Sequence, residues 1–149
     1  MVVEVRQLRD ATDAIVARLS VLVGQLSESA PPLTRDRLVE VLRCPCNTVL
    51  GARLDGELVG MLTLVVFPLP TGLRAWIEDV VVDEAARGHG IATALTREAV
   101  RIAHVGGVRS VDLTSRPSRV AANRLYESLG FELRDSRVYR ARRVGQPTP

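Results

Sequence analysis

The sequence contains no lysine, only two cysteines and few aromatic residues. All 20 basic residues are arginine, and phenylalanine, tryptophan and tyrosine together make up 3% of the chain. So few aromatic side chains leave little for stacking on nucleic-acid bases, and no helix-turn-helix or zinc-finger spacing is present. Cys44 and Cys46 flank a single proline, which is poor disulfide geometry. We therefore expect reduced thiols, no metal site and no nucleic-acid partner.

Long apolar runs are also missing. No stretch is long enough to span a bilayer, and the first residues lack the apolar region of a signal peptide. The chain of 149 residues is 46% hydrophobic and 25% charged, which is typical of one globular domain. We expect a cytoplasmic protein that binds no membrane, with one domain at residues 1–143 and a flexible tail at 144–149.

The charges that are present are unevenly divided. Residues 1–86 carry 8 arginines and 12 acidic residues, a net charge of −4, whereas residues 87–149 carry 12 arginines and 5 acidic residues, a net charge of +7. A basic half of this kind suits an anionic ligand such as a polyphosphate.

The hydrophobic pattern predicts a mixed sheet covered by helices on both faces, an α+β or α/β fold. The predicted strands are residues 2–8, 47–54, 57–67, 73–82, 108–114, 131–133 and 137–141. The predicted helices are residues 11–26, 34–42, 91–103 and 117–129. Asp55-Gly56 is a strong hairpin signal between two of the strands.

One strand-to-helix junction carries the strongest functional signal. The strand ends at Val82, and Arg87-Gly88-His89-Gly90-Ile91-Ala92 then leads into an amphipathic helix. Free amide N–H groups and the positive end of the helix dipole favour an anionic group at such a turn. A dinucleotide-binding fingerprint is the competing interpretation, but Thr93 stands where its third glycine would be.

Two motifs resemble the GNAT superfamily of acetyl-CoA-dependent N-acetyltransferases. Residues 87–92 match its Q/R-x-x-G-x-G/A signature, and residues 121–131 resemble its helix ending in Tyr-x-x-x-Gly-Phe. The resemblance implies a mixed, mostly antiparallel sheet of about seven strands flanked by about four helices. It also implies acetyl transfer from acetyl-CoA to a primary amine by direct attack in a ternary complex, with no metal. The acceptor would be a small-molecule or peptide amine, and a homodimer is expected by analogy. A non-catalytic acyl-CoA-binding regulatory module is the alternative.

The resemblance also assigns roles to individual residues. The amides of the turn would hold the pyrophosphate of coenzyme A, and the turn consists of Arg87, Gly88, His89, Gly90, Ile91 and Ala92. Backbone groups of Val80 and Val82 would pair with the pantetheine arm. The side chains of Arg119 and Asn123 would also contact coenzyme A. His89 is more readily a solvent-facing residue than a catalyst. Tyr126 would protonate the departing thiolate or stabilise its charge, with a buried structural tyrosine as the alternative.

Glu78 is the candidate general base, with a purely structural carboxylate as the alternative. Strand parity predicts that Trp76, Glu78, Val80 and Val82 share one face and that Asp79 points the other way. Helical spacing likewise predicts that Arg119, Asn123 and Tyr126 share one face of their helix. The motifs do not identify the amine acceptor.

Overall fold

The computed structural model describes residues 1–145 and divides the chain into two compact units, Met1–Arg116 and a second that begins at Pro117. The strands are β1 (Val3–Gln7), β2 (Asn47–Leu54), β3 (Glu57–Leu69), β4 (Gly72–Val82) and β5 (Val111–Asp112). The helices are α1 (Asp13–Leu26), α2 (Arg35–Arg43), α3 (Ile91–Val105) and α4 (Val120–Ser128), with one 3-10 turn at Glu84–Ala86. No helix within residues 1–145 has the length and apolar character needed to cross a membrane.

The first unit is built on a five-stranded sheet with the strand order β1-β2-β3-β4-β5. The first three strand pairs are antiparallel, whereas β4 and β5 are parallel and are connected through α3. Parallel neighbours need such a crossover, because a tight turn can join only antiparallel strands. The sheet is therefore mixed and mostly antiparallel.

Local sequence signals explain where several elements begin. Thr12 and Thr34 are the N-caps of α1 and α2, and each hydroxyl accepts a hydrogen bond at 3.2 Å from the backbone N–H three residues later. Asp55 and Gly56 join β2 to β3 with φ angles of 50° and 90°. Positive φ at both central positions is what a two-residue hairpin turn requires.

Helices cover both faces of the sheet. On one face, Met61 of β3 packs in a core with Leu19 and Leu22 of α1 and with α2. The preceding residue, Gly60, points to the opposite face, because side chains alternate along a strand. A Cβ added at Gly60 would lie 3.0 Å from Ile91 and 3.2 Å from Leu95 of α3. The missing side chain thus lets the first turns of α3 pack closely on the sheet.

The predicted number of about seven strands is wrong, since residues 1–145 contain five. Residues 131–133 and 137–141 were expected to form closing strands but have no strand partner in the described chain. Leu133, Val138 and Tyr139 are 96%, 74% and 87% exposed, so these apolar side chains are not buried. A strand needs a neighbouring ladder as well as a pattern, and the pattern alone does not supply one. Of the predicted tail, residues 146–149 lie outside the described residues.

Candidate active site

The turn between β4 and α3 leaves the N-terminus of α3 without a side-chain cap. Gly90 is the N-cap residue, with φ 73° and ψ 16°, and within residues 1–145 no side chain caps the first amides of the helix. Gly88 also has a positive φ, 83°. Amide donors at an uncapped helix start remain available to an anion, whose charge the helix dipole also stabilises.

Glycine is required at both positions by the backbone conformation, not by crowding. A Cβ added to Gly88 or Gly90 would meet no atom of the described residues within 4 Å. The left-handed conformation costs other residues about 1–2 kcal/mol, which glycine avoids. The open space above the turn also gives an incoming group direct access to the backbone.

Side chains around this turn are only weakly engaged. The Arg87 guanidinium lies 4.0 Å from Glu84, and these side chains are 63% and 68% exposed. Such an exposed pair contributes little, so Arg87 can turn towards an anionic ligand at small cost. The His89 ring is exposed, and its Nδ1 lies 2.9 Å from the carbonyl oxygen of Ala86. Ile91 is buried and anchors the start of α3, and Ala92 accepts a hydrogen bond from the Thr96 hydroxyl at 2.8 Å.

Strand β4 contains a bulge at Asp79. Glu78 pairs with Thr63 of β3 and Val81 pairs with Met61, so three steps along β4 match two along β3. Asp79 has a φ of 50°, a value that aspartate tolerates better than most residues. A bulge adds one residue and bends the strand that contains it.

The bulge overturns the predicted face assignment of β4. Trp76 and Glu78 do share a face, but the next residue on it is Val81, which joins the core beneath α1 and α2. Val82 pairs with Gly60 and therefore lies on the opposite face. The prediction that Val80 and Val82 share the face of Glu78 is wrong, because period-two counting fails across an inserted residue.

Beyond the bulge, the outer edge of β4 has no strand partner in residues 1–145. Strand β5 pairs only with Ala75 and Trp76. The Asp83 N–H donates to the carbonyl oxygen of Val59 on β3 at 2.7 Å. Because hydrogen-bonding directions alternate along a strand, the N–H groups of Val82 and Val80 point to the outer edge. This edge can accept an extended ligand as if it were another strand.

Glu78 lies on the same strand, at the residue before the bulge. Its side chain is exposed on the face that also includes Thr63. Partial burial raises the pKa of the Glu78 carboxyl above its usual range, and the neighbouring Asp79 carboxylate raises this pKa further. A carboxylate with a raised pKa is better matched to accepting a proton near neutral pH.

The second unit contains Tyr126, on α4. The ring is 8% exposed and packs edge-on against Phe131, with ring centroids 5.8 Å apart. Burial raises the pKa of the Tyr126 hydroxyl, which opposes its ionisation, and Arg119 acts in the other direction. The side chain therefore carries a proton well into the alkaline range.

Helix α4 is shorter than predicted. It begins at Val120, and Arg119 is its N-cap residue, with φ −84° and ψ 66°. The predicted N-terminal bound of residue 117 is therefore wrong by three residues. The Arg119 carbonyl accepts a hydrogen bond from the Asn123 N–H at 3.0 Å, the first i→i+4 bond of the helix.

Two residues without a predicted role contact the start of the turn. Arg18 and Gln25 of α1 contact Asp83, the residue that follows β4. Asp83 is the N-cap of the 3-10 turn, a position that its side-chain chemistry favours. Arg18 and Gln25 are 65 and 58 residues away in sequence, so no local signal identifies them.

The comparisons with known proteins agree with this geometry. Residues 17–131 match the family model described as the acetyltransferase (GNAT) family. The chain is 32% identical over 125 residues to glucosamine 6-phosphate N-acetyltransferase of Trypanosoma brucei brucei, covering 78% of this chain and 82% of that protein. It is 33% identical over 121 residues to N-alpha-acetyltransferase RimI of Mycobacterium tuberculosis, covering 81% and 75%.

Two further matches differ in how much they cover. The chain is 39% identical over 97 residues to human N-acetylaspartate synthetase, covering 60% of this chain but only 29% of the human protein. A putative acetyltransferase structure from Agrobacterium tumefaciens superposes with a TM-score of 0.82 at 27% identity, covering 94% of this chain and 99% of that one. The family model spans most of the chain, including the turn and α4. The chain therefore belongs to the acetyltransferase (GNAT) family.

Proposed function

We propose that this protein transfers an acetyl group from acetyl-CoA to a primary amine by direct attack in a ternary complex. The observation that carries the proposal is that two features meet at the end of β4. These are the open outer edge beyond Asp79 and the uncapped, glycine-rich start of α3. An extended pantetheine arm can pair with the open edge of β4, and the phosphates at its end can bind the amides at the start of α3.

On the donor side, the N–H groups of Val80 and Val82 pair with the pantetheine arm. The amides from Arg87 to Ala92 then hold the pyrophosphate, with the Arg87 guanidinium adding charge. Asn123 and Arg119 are proposed as further contacts to coenzyme A. Each of these assignments uses groups that can donate a hydrogen bond to an anion or an amide oxygen.

On the acceptor side, the Glu78 carboxylate takes a proton from the incoming ammonium, directly or through one water. The freed amine attacks the thioester carbonyl carbon, a C–N bond forms and the C–S bond breaks. The Tyr126 hydroxyl then protonates the departing thiolate, and the second proton lost by the acylated nitrogen restores the phenol through solvent. The names of two relatives indicate an amino-sugar phosphate and an α-amine as acceptors. We propose a small-molecule or peptide amine for this chain.

Steady-state release of coenzyme A with a panel of amines tests the proposal. We expect intersecting initial-velocity lines, as a ternary complex requires. Glu78→Gln and Tyr126→Phe should each lower kcat by about 100-fold, which is typical of losing one proton-transfer group. Glu57→Gln, at an exposed carboxylate beginning β3, is the matched control and should leave kcat unchanged.

Three results would contradict this mechanism. Parallel initial-velocity lines would indicate a covalent acyl-enzyme. Unchanged kcat in both variants would remove the roles of Glu78 and Tyr126. Tight acetyl-CoA binding by calorimetry, with no amine in the panel accelerating coenzyme A release, would favour the non-catalytic binding module.

A further inference from the structure

We propose that Arg18 and Gln25 of α1 are positioning residues that hold the coenzyme A-binding turn in place through Asp83. The inference rests on the proposed function, because it assigns the purpose of this contact to donor binding. Neither side chain belongs to the turn itself. Both act on the segment that leads from β4 into it.

Arg18 joins strand β3 to the start of the turn. Its Nη2 donates to Asp83 Oδ2 at 2.8 Å, and its Nε donates to the carbonyl oxygen of Leu58 on β3 at 2.9 Å. The side chains of Arg18 and Asp83 are 34% and 16% exposed. A charge-assisted bond that is partly shielded from water restrains its partners more strongly than a surface pair does. The same contact is the main cause of a lowered pKa for the Asp83 carboxyl.

Gln25 holds two successive residues at once. Its Nε2 donates to Asp83 Oδ1 at 3.4 Å, and its Oε1 accepts the Glu84 N–H at 3.0 Å. Asp83 Oδ1 also accepts the Ala85 N–H at 3.0 Å. The amides that open the 3-10 turn are therefore satisfied by side chains from α1 and from Asp83, and the turn cannot rotate without breaking these bonds.

A continuous series of hydrogen bonds extends from this contact to the glycines. The Ala86 N–H donates to the carbonyl oxygen of Asp83 at 2.8 Å, and the Ala86 carbonyl lies 2.9 Å from His89 Nδ1. His89 stands between Gly88 and Gly90, the two residues with positive φ. Orienting these amides before the ligand arrives lowers the ordering cost of binding. Loss of the contact should weaken donor binding and leave the chemical step unchanged.

The test compares Arg18→Met and Gln25→Met with Arg101→Met. Methionine keeps an unbranched apolar stem and removes the polar end of each side chain. Arg101 is a matched control, because it makes two bonds to Glu98 at 2.8 and 2.7 Å on α3. We expect Arg18→Met to raise the KM and Kd for acetyl-CoA by about ten-fold, with kcat at saturation within about two-fold. Gln25→Met should do the same to a smaller extent, and Arg101→Met should change neither constant.

Two additional measurements separate positioning from general destabilisation. Arg18→Lys should recover part of the lost affinity, since its ammonium restores the positive charge but lacks the planar fork of donors with which arginine contacts both Asp83 and Leu58. Acetyl-pantetheine lacks the pyrophosphate, so its KM should be the same in wild type and Arg18→Met. Gln25 is exposed, so its variant is expected to fold even if Arg18→Met does not.

The outcomes distinguish this inference from the function on which it rests. A fall in melting temperature with unchanged Kd for acetyl-CoA would show that the contact is only structural and would overturn the inference. A fall in kcat with unchanged KM would also overturn it. If wild type itself does not bind acetyl-CoA, the proposed function fails before the inference is reached.

Discussion

Replacing Gly88 with alanine tests whether the turn backbone binds acetyl-CoA. Replacing Gly107 with alanine is the matched control. Both glycines have a φ of 83°, and a Cβ added to either meets no atom within 4 Å in the described part of the chain. Gly107 follows the C-terminal end of α3, whereas Gly88 precedes its N-terminus. The two substitutions therefore impose the same backbone strain at opposite ends of one helix.

The magnitude follows from that strain. A left-handed alanine costs about 1–2 kcal/mol, and no steric clash adds to this at either site. In a chain of 149 residues each kcal/mol lowers Tm by about 2–4 °C, so both variants should melt about 2–8 °C below wild type. At Gly88, relaxation of the turn and the added methyl group should also weaken acetyl-CoA binding by about 5- to 30-fold.

Scanning calorimetry measures the stability of both variants, and titration calorimetry measures their affinity for acetyl-CoA. We expect Gly107→Ala to lose stability but keep wild-type affinity. If Gly88→Ala loses the same stability and still binds acetyl-CoA as wild type does, the turn is not the pyrophosphate site. Equal affinity losses in both variants would show instead that general destabilisation governs binding.

Three further predictions concern titration and packing. Asp79→Asn removes one of the two causes that raise the pKa of Glu78. In the pH profile of kcat/KM, activity falls on the acidic side as Glu78 is protonated, so this fall should move to lower pH. If it does not move, Glu78 is not the titrating base. In Tyr139→Phe, absorbance titration reports on Tyr126 alone, and burial should place its midpoint above the ordinary value of 10.0; a midpoint below 10 would contradict the burial of the hydroxyl. Leu95 is fully buried, so Leu95→Ala should lower the free energy of unfolding by about 2–5 kcal/mol in urea, and a loss under 1 kcal/mol would mean that the sheet–α3 core is misplaced.

Local sequence signals predicted most elements of the first unit and the position of the turn. Strand β2 has the predicted bounds, and the helix predicted at residues 34–42 is present as α2. The order strand, glycine turn, helix is also present at Gly88 and Gly90. These features depend on side-chain periodicity, capping and φ preference, all of which act over a few residues.

Features that depend on distant partners were missed. Alternation along β4 failed at Asp79, where an extra residue is accommodated against β3. The two expected closing strands contain apolar residues but have no ladder in the described chain. The contact of Arg18 with Asp83 joins residues 65 apart, which no local pattern encodes.

The sequence by itself determined that a strand ends at a glycine-rich turn and that a helix with Tyr126 follows later. It could do so because backbone conformation there is chosen by the residues themselves, glycine above all. Only the tertiary structure decided how far β5 extends along β4, and therefore which amides of β4 point to the open edge. It also decided that Arg18 contacts Asp83 at the start of the turn. Those properties arise from pairing and packing between distant segments, which have no counterpart in a short stretch of sequence.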